Sequence, residues 1–125
     1  MTEEHDSPGG EVHLRADGPE TWPEMPQIPG LRMKELWARE GGLSIALLSF
    51  EAGAGIPRRH RHASNQFMYC VSGRYNYVSS GLELTPGDFY WNPLGNEHGP
   101  TEAVEPSILF EIYDGPHYFE DKPYG

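Results

Sequence analysis

Gly55-Ile-Pro-Arg-Arg-His60-Arg-His62-Ala-Ser-Asn-Gln66 is the stretch on which the 125-residue chain is organised, and Pro93-Leu-Gly-Asn-Glu-His98 answers it. Side chains two residues apart on a strand point to the same face. His60 and His62 are therefore expected to converge on one point, with Arg61 turned away. Ala63-Ser-Asn65 reads as a short turn that brings Gln66 onto an adjacent strand. His98 arrives separately, after a second turn rich in Gly, Pro and Asn. A lone His-x-His is a weak signal. Its pairing with Gly87-x5-Pro93-x-Gly95-x2-His98 is what points to a site. Three imidazoles, with Gln66 as a weak ligand or an outer donor, suit one borderline divalent metal: Fe(II), Zn, Mn or Ni. Neutral imidazole ligands have a reference pKa of about 6.5, so metal occupancy is expected to fall as pH drops below that.

The net charge is −10, which argues against nucleic acid and against an anionic membrane surface as partners. Fifteen glycines and twelve prolines break the chain often, as a sheet protein requires. One cysteine, Cys70, leaves no intramolecular disulfide. No apolar run approaches the roughly 20 residues of a spanning helix. The acidic N-terminus lacks a signal-peptide core, so a cytoplasmic location is expected.

Residues 1–20 read as a flexible or draped arm, with His5 and His13 solvated. Trp22, Met25 and Ile28 are expected to pack extended on the body or on a partner subunit. Strands are predicted at 31–40, 43–50 (central, covered on both faces), 56–62, 66–71, 74–78, 82–84, 89–92 and 107–113. Turns are predicted at Gly41-Gly42, Ser72-Gly73 and Ser79–Gly81. Thr85-Pro86-Gly87-Asp88 carries type II turn chemistry. Short strands with frequent turns imply one all-β domain, an antiparallel sandwich or barrel.

These residues resemble the two cupin motifs. The first is carried by Gly55, His60, His62, Gln66 and Gly73, the second by Gly87, Pro93, Gly95 and His98. The spacing from Gly55 to His60 is one residue shorter than usual, Gln66 stands where the metal-binding glutamate is common, and Glu102 stands where an asparagine often closes the second motif. The resemblance covers about residues 43–113. It implies a single cupin domain at 21–125, a small antiparallel β-barrel of jelly-roll type behind an extended N-terminal arm. Residues 53–99 and the tail Glu111-Ile-Tyr-Asp-Gly-Pro-His117-Tyr resemble the small iron dioxygenases of the dihydroxyacetophenone dioxygenase type. A mechanistic relative is the acetylacetone-cleaving cupin with its three-histidine iron. The resemblance implies an Fe(II) dioxygenase that uses O2 to cleave a C–C bond beside a carbonyl in a hydroxyketone or β-diketone. A non-catalytic metal- or ligand-binding module, or a metal-dependent isomerase or lyase, stands as the alternative, since one fold hosts many chemistries.

Around the expected ligands, parity puts Gln66, Met68 and Cys70 on one face, so Met68 is expected as cavity wall and Cys70 as a small buried hydrophobe. Gln66 leaves the metal charge uncompensated, which favours an anionic, chelating substrate. Arg58 shares parity with the histidines and is expected at the pocket mouth, binding substrate. Glu111, set among apolar residues, is a candidate proton acceptor alongside Gln66. His117 is expected to be structural or at the rim. The apolar arm residues and the outer barrel face imply a homodimer.

Overall fold

Ten strands run along the chain: β1 (His5–Asp6), β2 (Val12–His13), β3 (Leu31–Ala38), β4 (Ser44–Phe50), β5 (His60–Arg61), β6 (Gln66–Tyr77), β7 (Leu82–Leu84), β8 (Phe89–Asn92), β9 (Glu97–His98) and β10 (Thr101–Tyr113). They come from a computed structural model that describes residues 5–6, 10–119 and 123. A single 3-10 turn, Pro19–Thr21, is the remaining regular element among the described residues. No helix among them is long and apolar enough to cross a membrane. Every pairing is antiparallel. The main sheet runs β3-β4-β10-β6-β7, with β8 also on β6, and β5 and β9 form a separate two-stranded sheet. The result is one small cupin-like β domain.

The strand alternation decides which face is core. Along the first half of β6 the buried residues are Gln66, Met68 and Cys70, and along the last part of β10 they are Leu109, Glu111 and Tyr113. Ala46, Leu48 and Phe50 of β4 point the same way. Leu31, Leu48, Phe50, Met68, Tyr75 and Leu109 form the centre of the apolar cluster, each large side chain worth about 1.5–3 kcal/mol by removal from water. Cys70 is fully buried, and its thiol is pushed up by burial, as a small core residue should be.

Four expectations need correction. The histidine strand does not run from 56 to 62 and does not pair with the Gln66 strand. Only His60–Arg61 is strand, paired with β9, and His62 bridges Tyr118. Pro57 has no N–H to give a ladder, and the Ile56 backbone is tied instead to Thr101 by bonds of 2.8 and 3.0 Å. Gly55 lies so close to Thr101 that a Cβ there would overlap the Thr101 carbonyl. Ser72-Gly73 is not a turn but the middle of β6. Gly73 takes φ 89 where the β6–β10 register slips, and a Cβ would collide with Pro106 and Ser107, the reason a bulge wants glycine. The last strand begins at Thr101, because that slip absorbs Pro106 without ending the ladder. β4 has neighbours on both sides, yet only one of its faces is buried.

The Thr85–Asp88 turn is as read: Asp88 N–H donates to the Thr85 carbonyl at 2.9 Å, and Gly87 has φ 96. In the arm, β1 and β2 pair, with His5 opposite His13. Trp22 and Ile28 are buried against their own chain, the Trp22 Nε1–H donating to the Ala16 carbonyl.

Candidate metal centre

β5 and β9 exist to bring two histidines face to face: His60 pairs directly with His98. His62 joins them because its backbone is held from both sides, Gly95 N–H donating to its carbonyl and its own segment bridging Tyr118. The three imidazoles are buried, and their candidate ligand nitrogens lie within 4.8 Å of one another. The Nε2 of His98 is 3.0 Å from that of His62 and 3.0 Å from that of His60.

The tautomers follow from the partners. His60 Nδ1 lies 2.8 Å from the Arg58 carbonyl, and His62 Nδ1 lies 2.8 Å from the His117 carbonyl. A carbonyl only accepts, so both Nδ1 atoms carry the proton and both Nε2 atoms present lone pairs. His98 Nδ1 meets the Tyr90 hydroxyl at 2.9 Å. One proton on His98 Nε2 could satisfy one neighbour but not both. Lone pairs brought this close in a buried site are the donor set of a cation. Two nitrogens each about 2.1 Å from one ion, at a right angle, would be about 3.0 Å apart. The residues fit a divalent metal, and the outer bonds to Arg58, His117 and Tyr90 are the kind that fix ligating imidazoles.

Burial holds these imidazoles neutral. His62 is lowered to about 4, first by desolvation, partly offset by its bond to His117. His98 is lowered to about 3, by desolvation and then by repulsion from His60 and His62. His60 is lowered by the same desolvation. The expectation of metal loss just below pH 6.5 is revised accordingly. In the fold His62 and His98 take up protons only well below that, so occupancy is expected to persist below pH 6.5 and to fall as pH approaches about 4. In the metal-free protein the sign is that of depressed groups: stability is present above about 6.5 and lost as pH falls toward the folded values. Metal content measured after dialysis at stepped pH checks this. A steep loss between pH 7 and 6 would contradict it.

The histidines open into a cavity of about 130 Å³. Gln66, Met68, Glu111, Tyr113 and His117 line it, with an apolar wall that includes Leu48, Phe50, Tyr75 and Tyr77. Met25 and Ile28 from the N-terminal segment complete that wall. Gln66 Nε2 donates to the Glu111 carboxyl at 2.8 Å and to the Tyr113 oxygen at 3.1 Å. Its Oε1 accepts a long bond from Asn92 at 3.4 Å, and Asn92 is held by Asn96. Glu111 is raised to about 7, mainly by burial, with the bonds from Gln66 and Tyr113 acting against the shift. It is the one carboxyl among the lining residues.

The structure thus brings His60, His62, His98, Gln66, Met68 and Glu111 to one cavity. Arg58 is elsewhere: its side chain is exposed and its Nε–H donates to the Pro123 carbonyl, while only its backbone serves His60. His117 lines the cavity and donates or accepts at Ser44 Oγ, 2.8 Å away. Asn92 carries no signal of its role in the sequence, and Tyr90 and Tyr113 stand out there as part of the aromatic load downstream of the histidines. Tyr113 had a further signal, standing two residues after Glu111 on the same strand.

A small antiparallel β domain with His60 on β5, His62 just beyond it and His98 opposite on β9 is a cupin. Within that class the chain belongs to the ChrR cupin-like domain family, whose model matches residues 13–117. No curated protein sequence matches the chain. Among solved structures, it is similar to an acetylacetone dioxygenase from Acinetobacter johnsonii, at TM-score 0.74 and 17% identity over 98% of this chain and 84% of that one. It is similar to KdgF from Halomonas sp., at TM-score 0.66 and 26% identity over 77% of this chain and 86% of that one. A protein of unknown function with a cupin-like fold from Ralstonia eutropha aligns at TM-score 0.63 and 23% identity, over 77% of this chain and 63% of that one.

Proposed function

We propose that this chain is an Fe(II)-dependent dioxygenase that cleaves the C–C bond beside a carbonyl in a small β-diketone or hydroxyketone. The observation that carries the reading is the convergence of three imidazole Nε2 atoms on a small, largely apolar cavity with one buried carboxyl. His60, His62 and His98 would hold the metal. Iron there would supply Lewis acidity and the one-electron chemistry that O2 needs. The same donor set accepts zinc, and the redox demand of O2 is what favours iron. Fold likeness to an acetylacetone dioxygenase supports the reading.

The chain's own residues have separable tasks. Glu111 takes the acidic proton of the substrate, from the carbon between two carbonyls or from the α-hydroxyl. A carboxyl raised to about 7 is matched to such a transfer near neutral pH. Gln66 and Tyr113 hold that carboxyl in place. With neutral ligands around the metal, the deprotonated substrate brings the compensating charge. The apolar wall keeps water out. At about 130 Å³ the cavity is well below the roughly 300–1,000 Å³ of ordinary ligand pockets, so the compact end of the substrate range fits best.

The test is the iron-loaded protein with a panel of β-diketones and hydroxyketones under labelled O2. The expected result is cleavage into two carbonyl fragments, for a β-diketone one carboxylic acid and one α-oxoaldehyde, with label in both. Conversion without O2 would favour the isomerase or lyase reading, and no conversion across the panel would favour a binding module.

Gln66→Glu separates the roles further. It removes the donor to Glu111 and sets two carboxyls side by side in a buried site, which pushes protons onto the pair. It also offers the metal a competing anion. Metal content is expected to stay level or rise while kcat/KM falls by about tenfold or more, about 1.4 kcal/mol. Equal or faster turnover at matched metal occupancy would remove the charge argument.

A further inference from the structure

The register of the main sheet gives the cavity a direction. Tyr90, Met68, Glu111 and Ala46 lie on one cross-strand row, which carries the buried carboxyl and the hydroxyl that meets His98. Two residues along β4 the row is Leu48 with Met33 and Leu109, and two further it is Phe50 with Leu31. At about 3.4 Å per residue, the Phe50 row stands about 14 Å from the Glu111 row along the strands. Leu31, Met33, Leu48 and Phe50 all line the cavity. Its reacting end is therefore polar and its far end apolar.

Met25 and Ile28 join the lining from the segment that leads into β3 at Leu31. That segment is tied down. Met25 N–H donates to the Leu31 carbonyl at 2.9 Å, Ile28 N–H to the Met25 carbonyl at 3.1 Å, and Leu31 N–H to the Ile28 carbonyl at 3.2 Å. Gly30 fastens it to the loop after β4. Its carbonyl accepts from Glu51 N–H at 2.9 Å, its φ is 85, and a Cβ there would meet the Ala54 Cβ at 2.8 Å. Met33 N–H donates back to the Pro23 carbonyl at 2.9 Å, and the Arg32 guanidinium donates to the Trp22 carbonyl at 3.0 Å. Pro23, Pro26 and Pro29 restrict φ along the way. Pro26, Gln27 and Pro29 are exposed while Ile28 is buried. The segment is thus a fixed strap with Ile28 and Met25 on its inner side. Ile28, branched at Cβ, is stiff at χ1; Met25 is unbranched and adapts.

We propose that Ile28, with Met25 beside it, is the stop that fixes the length of the substrate's acyl tail. The inference rests on the dioxygenase reading of the site and narrows its substrate to an aliphatic β-diketone with a short, unbranched tail. With the acidic carbon at Glu111, the tail lies along the Leu48–Met33 row and meets the strap beyond it. A wall held by backbone bonds does not yield to one more methylene, and an apolar pocket discriminates one methylene by about 10–200-fold. No charged side chain is among the residues that line that end, so a tail that ends in a charge is refused.

The test takes acetylacetone and its homologues lengthened at one end by one to four methylenes, on wild type, Ile28→Ala and Met25→Ala at matched metal occupancy. One readout is kcat/KM for O2 consumption by the iron-loaded protein. The other is Kd for the same diketones on the zinc-loaded protein by calorimetry, which needs no turnover and so separates a failed stop from a failed dioxygenase reading. Wild type is expected to lose about tenfold or more in both from the shortest homologue to the longest. Ile28→Ala should raise the ratio of longest to shortest by about tenfold or more, and Met25→Ala should move it the same way by less. If Ile28→Ala does not fold, Ile28→Val is expected to move the cut-off by one methylene. A shift in Kd without turnover in any form would support the stop and remove the dioxygenase. A length preference identical in wild type and the folded variants, or no diketone bound by zinc-loaded wild type, would overturn the proposal.

Discussion

Alanine at His98 is expected to abolish iron-dependent turnover. The imidazole is the hinge of the donor set, 3.0 Å from the Nε2 of each of its two companions. Without it His60 and His62 remain on one short segment with no ligand from the opposite strand. Changes to mere outer partners of metal ligands cost about 10–100-fold in affinity or activity, so loss of a direct ligand should exceed 100-fold. Tyr90→Phe gives the graded companion, since it removes only the hydroxyl that meets His98 Nδ1. Metal affinity by competition with a chelator is the readout. A His98→Ala variant that binds iron as tightly as wild type would contradict the assignment.

Glu111→Gln should produce the second large effect, and it should do so without metal loss. The new side chain has the same shape and can still accept from Gln66 Nε2, so the cavity stays built, but it cannot take a proton. Removing a positioned general base typically costs about 10²–10⁴ in rate, and kcat should fall in that range while metal content stays the same. Stability moves the other way. Glu111 sits at about 7 in the fold against a reference of 4.5. A raised carboxyl gives stability that is fully present below the unfolded value and lost as pH rises through the folded one. Wild-type apoprotein should therefore lose on the order of 3 kcal/mol from this group between about pH 4.5 and 7. The histidines act with the opposite sign over much of that range, so the comparison is made at pH 8, where they are neutral in both states. There Glu111→Gln should be more stable than wild type by urea midpoint. A slower variant that is also less stable at pH 8 would mean Glu111 is only a structural group.

The parts of this molecule that could be read in the sequence are those governed by local periodicity. The face shared by His60 and His62 and the buried face at Gln66, Met68 and Cys70 follow from alternation, which needs no knowledge of the neighbouring strand. The turn at Thr85–Asp88 follows from the φ demands of Pro86 and Gly87. What could not be read was pairing. Nothing near His60 in sequence states that its partner is His98 and not Gln66, because that choice is made by segments 38 residues apart. Gly73 looked like a turn glycine because turn and bulge place the same demand on φ. Only the slipped ladder opposite Pro106 distinguishes them. Arg58 shared parity with the histidines, but parity fails where the strand has not begun, and its side chain leaves toward Pro123. The chain of Asn96, Asn92 and Gln66 was hidden for the same reason, being assembled from two segments, Gln66 on one and Asn92 with Asn96 on the other, that meet only in the fold.

The account rests on three imidazoles forming one metal site, and equilibrium dialysis of Fe(II) under anaerobic conditions tests that most directly. Wild type should bind close to one iron per chain at neutral pH, and the His60→Ala/His98→Ala double variant, shown folded by circular dichroism, should bind none. Full occupancy in the folded double variant, or no iron in wild type, would contradict the account.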